Sequence, residues 1–181
     1  MSVSKWDFDL VHSSVSFHVR HLMVSKVHGR FHKWGGVLEL DDADLTNSRL
    51  DVTIDASSVD TKEGKRDAHL RSADFLDVET HPNITFKSTQ ITKDGDTYKV
   101  AGDITIHGIT KPVVLDVEGG DQIKDPWGGT RTGFSAKARL NRKDFGLTWN
   151  LALEAGGFVV GDKLEISIEI EAIKAAAAAA A

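Results

Sequence analysis

The sequence predicts an all-β fold in which about eight antiparallel strands curl into a closed barrel or a sandwich, with one short helix at an edge or mouth. Three observations predict it. Successive runs alternate apolar and polar side chains with a period of two, as half-buried strands do. Loops rich in Asp, Asn and Gly separate these runs. Only the stretch from Asp60 to Arg71 suits a helix, and so many strands with one apolar face each call for closure, because open edges invite aggregation.

The first run, Ser14 to Leu22, sets Val15, Phe17 and Val19 on one face and Ser14, Ser16, His18 and Arg20 on the other. A second, Val27 to Leu40, is interrupted by Gly35-Gly36, where a bulge or sharp bend is expected. Leu50, Val52 and Ile54 then alternate with acids and Thr53. In the helical stretch, Asp60 or Thr61 is the expected N-cap and Asp67 with Arg71 the expected ion pair. Only Ala68 and Leu70 are apolar there, so the helix is expected to touch the core by a short stripe. Phe75, Leu76 and Val78 bring the chain back to apolar contact, and His81-Pro82 opens an extended run.

Asn83 to Thr92 and Thr97 to Ile106 flank Lys93-Asp94-Gly95-Asp96, a hairpin loop with Gly95 placed for positive φ. His107 to Pro112 reads as a turn before a strand over Val113 to Val117, and Gly119-Gly120 reads as a further hairpin loop. Thr130 to Asn141 carries Thr132, Phe134, Ala136, Ala138 and Leu140 on one face. Lys163 to Ile173 closes the domain with Leu164, Ile166, Ile168 and Ile170. Residues 1–174 are expected to form one domain, with the seven alanines 175–181 set aside.

Eight strands enclose a space that either packs solid or holds one small ligand. With a strand rise of about 3.3 Å per residue and a tilt of roughly 40°, such a barrel stands on the order of 25 to 30 Å tall. Its long, narrow interior suits a flexible apolar chain better than a compact polar metabolite. The chain has 27 acidic and 22 basic residues, a net charge of −5, which argues against nucleic acid as a partner. Without cysteine, disulfides and thiolate chemistry are excluded. The first ten residues lack an apolar signal-like core, so a cytoplasmic location is expected, or a periplasmic or secreted one if a signal was removed. Stable membrane insertion is not expected.

Several motifs occur in order along the chain: Trp6-Asp7-Phe8-Asp9, Val27-His28-Gly29-Arg30-Phe31, Arg66 to Phe75 (RDAHLRSADF), Pro82 to Thr89 (PNITFKST), Gly102 to Lys111 (GDITIHGITK) and Arg142 to Leu147 (RKDFGL). Together they resemble the YceI family of bacterial polyisoprenoid-binding proteins, with the likeness running from Trp6 to about Ile173. The resemblance implies an eight-stranded, lipocalin-like antiparallel barrel, and the polar short helix is expected to cap its mouth. The resemblance also implies an elongated apolar pocket for a polyisoprenoid chain, such as that of a quinone or a polyprenyl pyrophosphate, and homodimers. No cofactor is expected beyond a bound isoprenoid lipid.

Inner-face candidates for contact with such a chain are Phe17, Val19, Phe31, Phe75 and Phe86, followed by Ile104, Leu115, Phe134 and Trp149. Burying some 400 Å² of tail would supply ~10 kcal/mol before association costs. For a polar head group, His21 is the leading candidate because it falls in phase with Val15, Phe17 and Val19, and His69 on the helix is next. The stretch from Leu10 to Leu38 holds no acid and carries Arg20, Lys26, Arg30 and Lys33, but its period-two spacing is that of a solvated outer face. Arg66 and Arg71 on the helix are further donors.

A metal site is not expected. His28 and His32 stand roughly 13 Å apart on a strand, too far to share zinc, and His18 and His21 are on opposite faces. His107 is expected to be satisfied by backbone. Neither a nucleophile elbow nor a phosphate cradle is present, so a non-enzymatic protein is expected. The competing expectations are a structural or stress-related barrel with a solid core and, less favoured, a hydrolytic enzyme.

Overall fold

The computed structural model describes residues 2–177. The strands are β1 (Val3–Phe8), β2 (Ser14–His21), β3 (Ser25–Phe31), β4 (Trp34–Asp41), β5 (Arg49–Asp55), the short β6 (Val59–Asp60), β7 (Asn83–Asp94), β8 (Thr97–Ile106), β9 (Ile109–Lys124), β10 (Thr130–Asn141) and β11 (Val160–Lys174). The helix α1 spans Gly64–Arg71. Eight strands form a closed antiparallel ring in the order β1-β4-β5-β7-β8-β9-β10-β11, and β11 returns to β1. Closure leaves no free edge around the ring.

β11 serves two partners. Its C-terminal end pairs with β1, while Leu164 to Glu169 pair with Val19 to Ser14 of β2, which carries β3 and β6 along with it. The chain must therefore bend between β1 and β2. Buried Ser13 holds the bend: its hydroxyl donates to the Glu171 carbonyl (3.2 Å) and accepts from the Glu171 N–H (2.9 Å). The Glu171 N–H that the bend would strand is thereby satisfied, while its carbonyl also accepts from the Asp9 N–H at 2.8 Å.

Three expectations about the strands are corrected. The run from Val27 to Leu40 breaks at His32-Lys33, not at Gly35-Gly36, because β3 leaves for β2 while β4 joins β5. Gly36 is instead a point of close approach, where a Cβ would stand 1.9 Å from the Asp51 carbonyl oxygen. Strand β9 begins at Ile109 and runs through Gly119-Gly120, which form no hairpin loop. They accompany a register shift opposite Thr132 and Phe134, a bulge for which their φ values of 110° and 104° suit glycine.

α1 is capped by Glu63, whose carboxylate accepts from the N–H groups of Lys65 and Arg66. Asp67 pairs with Thr61 and not with Arg71, accepting from its backbone N–H at 2.9 Å and its hydroxyl at 2.5 Å. An aspartate that can close the preceding turn in a buried setting does more there than as half of a solvated ion pair. Ala68 is exposed, and Leu70 alone carries the helix's apolar contact. The last four alanines of the tail lie outside the described residues. Ala175 still donates to the Lys5 carbonyl.

The inner faces form one large cluster around Phe31, Phe86, Ile104, Leu115 and Leu140. A smaller one gathers Trp6, Leu38, Leu40 and Ala172 beside the β1–β11 seam.

Candidate ligand-binding cavity

The interior is not solid. A cavity of about 200 Å³ lies under α1, and a second of about 100 Å³ lies toward Leu38 and Tyr98. Phe8, Leu50, Leu115, Ile168 and Ile170 border both, so the two chambers meet at a waist. An apolar cavity of about 150 Å³ is known to stay dry and admit benzene. The larger chamber presents an entirely apolar wall.

Phe17, Val19, Phe31, Phe75, Phe86, Ile104 and Leu115 line the larger chamber, and Phe134 lines the smaller. The rings of Phe17, Phe86 and Phe134 leave the centre open because they lie over glycines on neighbouring strands. A Cβ at Gly102 would stand 2.4 Å from Cζ of Phe86, and one at Gly120 would stand 3.2 Å from Cε1 of Phe134. Aromatic mass is thus placed in the wall.

His21, His69 and Trp149 do not line either chamber. His21 ends β2 opposite Ser25, past Val19, the last position of that strand to reach the cavity. The alternation is right but the strand ends too soon. His69 and Trp149 sit behind Phe75 as an aromatic cluster: His69 meets Trp149 and Phe75 edge to face, with ring centroids 4.6 and 5.0 Å apart, and Phe75 meets Trp149 at a tilt, at 5.3 Å. Such contacts fix a ring's tilt, so these two residues buttress the one that meets the cavity. His69 Nε2 also lies 2.8 Å from Asp74.

The arginines of the helix, the further donors proposed for a head group, are otherwise engaged. Arg66 donates to the hydroxyl and carbonyl of Thr61, and Arg71 donates to the Ser57 carbonyl. His18 lies against Glu165 and His32 against Asp60, each at 2.7 Å.

Sequence reasoning missed Arg142. It is 2% exposed and borders the larger chamber, yet its N–H groups turn away from the hollow. They donate to the carbonyls of Gly161 (2.8 Å), Leu147 (2.5 Å) and Trp149 (2.9 Å). Burial pushes its pKa down, and Asp162 partly counters that. The arginine thereby ties the irregular segment after β10 to the start of β11 and positions Trp149. Also missed were Phe8 and Trp34, which meet edge to face at 5.2 Å, and Leu50 and Ile168 at the waist. The alternation of β5 and β11 already carried the signal for the last two.

Among the described residues, no helix is long and apolar enough to cross a membrane. A closed antiparallel barrel with a capped apolar hollow defines a lipocalin-like class of fold. The YceI-like domain description matches residues 6–172, and the chain belongs to that family. A UPF0312 protein of Pectobacterium atrosepticum is 38% identical over 170 residues, covering 94% of this chain and 85% of its own length. Burkholderia cenocepacia BcnA has the same fold, with a TM-score of 0.80 at 23% identity over 91% of this chain and 99% of its own. So does a polyisoprenoid binding domain from Saccharophagus degradans implicated in plant cell wall breakdown, with a TM-score of 0.66 at 14% identity, covering 95% of this chain and 99% of its own.

Proposed function

We propose that this protein binds and carries, or sequesters, the hydrocarbon chain of an isoprenoid or similar long-chain lipid, without catalysing a reaction on it. The observation that carries this reading is the apolar wall of the two-chambered hollow. A buried polar substrate would leave its groups unpaired there. Family membership and the polyisoprenoid-binding description of the Saccharophagus degradans domain support it.

Size sharpens the proposal. Scaled from the benzene-sized cavity, the chambers hold roughly ten to twelve carbons, about two isoprene units. At about 0.8 kcal/mol per buried CH₂, that is ~8 kcal/mol, comparable with the cost of association. A chain that fills both chambers passes Phe8, Leu50 and Ile168 at the waist. Affinity is therefore expected to rise with chain length until the chambers fill, with the head group left outside.

The test is organic extraction of protein purified from cells that naturally make it, followed by mass spectrometry, and titration with prenyl alcohols of increasing length. Release of a prenyl compound and length-dependent affinity support the reading. An empty extract together with no uptake of any prenyl alcohol would end it.

A further inference from the structure

Asp77, His81 and His107 come from two different connections, α1–β7 and β8–β9, and meet outside the cavity. Asp77 lies in the segment after α1, His81 two residues before β7, and His107 in the turn between β8 and β9. One carboxylate oxygen and two imidazole nitrogens lie within 4.8 Å of one another, all on half-buried residues. The two imidazoles meet edge to face with centroids 4.9 Å apart.

The surroundings prepare these groups as ligands. His107 Nδ1 lies 3.0 Å from the Phe145 carbonyl oxygen. A carbonyl only accepts, so Nδ1 carries the proton and Nε2 keeps its lone pair, as metal-binding histidines do. Asp77 and His107 hold left-handed backbones with φ of 46° and 53°, uncommon for residues other than glycine. The Asp77 carbonyl accepts from the N–H groups of Thr80 and His81, closing the loop that brings His81 back. Gly108 is required beside them, because a Cβ there would stand 2.7 Å from His81 Cε1.

A second cluster, Asp9, His12 and Glu171, has similar composition. It already holds a cation: Arg131 Nη1 donates to Asp9 at 2.9 Å and to Glu171 at 2.7 Å. Among the described residues, Asp77 pairs with no lysine or arginine.

We propose that Asp77, His81 and His107 bind a divalent first-row transition ion of the zinc class. Two imidazoles and one carboxylate suit such an ion and leave the outward coordination positions to water. Metal–ligand bonds of about 2.1 Å need donor atoms roughly 3.3 Å apart, a closure that side-chain rotation supplies. The ion would fasten the segment after α1 to the β8–β9 turn. Phe75 and Leu76, which line the larger chamber, immediately precede Asp77 in that segment.

Tag-free protein titrated with Co²⁺ and followed by its visible absorption, with Zn²⁺ as competitor, tests this. One equivalent should bind, and Asp77→Asn, His81→Gln and His107→Asn should each weaken binding by at least about tenfold. Asparagine tolerates the left-handed backbone, and melting without metal confirms that these variants fold. His12→Ala should bind as the parent does. Absence of saturable uptake, uptake that survives all three substitutions, or loss in His12→Ala would overturn the proposal.

Discussion

Phe17 and Gly29 face each other across the β2–β3 pair, and the phenyl ring lies where a side chain on Gly29 would be: a Cβ there would stand 2.2 Å from Cζ of Phe17. Gly29 has no positive φ in this structure, so the ring, not the backbone, is what demands glycine. Gly29→Ala is expected to tip Phe17 into the larger chamber. Overpacking of this kind costs about 1 to 3 kcal/mol. Urea midpoints give the cost, and prenyl-alcohol titration should show reduced capacity. Pairing it with Phe17→Leu should restore both; unchanged capacity in the single variant would show that the ring moves elsewhere.

Phe86→Trp tests whether the hollow accepts bulk. With about 200 Å³ available beside it, the larger ring fills space, so stability should fall by less than about 1 kcal/mol while uptake is lost. A loss of several kcal/mol with uptake retained would point to a filled interior.

Arg142→Met keeps most of the stem volume and removes every donor. The carbonyls of Leu147, Trp149 and Gly161 lose their partner, at about 1 to 3 kcal/mol for each that water cannot reach. Destabilisation of about 3 kcal/mol or more is expected, with Trp149 becoming more exposed, as fluorescence quenching would report. Arg142→Lys should fall between, since an ammonium cannot span three carbonyls. A fully stable Met variant would refute the clamp.

Acid should weaken the protein through Asp9. Hydrogen bonds from His12 and then Arg131 lower its pKa to about 2, and Arg131 likewise lowers that of Asp125. A depressed folded pKa stabilises fully above the unfolded value near 3.9, and that contribution disappears as pH falls toward 2. His12 has the opposite sign. Its pKa is raised, chiefly by Asp9, so its contribution is complete below about 6.5 and is lost as pH rises through the higher folded value. Asp9→Asn should flatten the pH dependence of urea midpoints in both windows. Parallel profiles for the two proteins would remove this contact from the account.

The strands were legible because period-two alternation survives wherever one face meets the core; β7, β8 and β10 fall within two residues of their expected limits. The break at His32-Lys33 was not legible, because it depends on which neighbour each half pairs with and not on local composition. Most cavity contacts followed from the same alternation. His21 and Trp149 did not, since their positions depend on where the wall ends and on the path of an irregular loop. The Asp77–His81–His107 cluster escaped a reading along single strands because two separate connections assemble it.

The wall is stitched unevenly. Eleven consecutive residue pairs join β10 to β11, whereas only Trp6↔Lys174, Asp7↔Ile173 and Phe8↔Ala172 join β1 to β11. Backbone amides along that short zip should exchange with deuterium sooner than those of its long neighbour, making it the place where the cylinder first gapes.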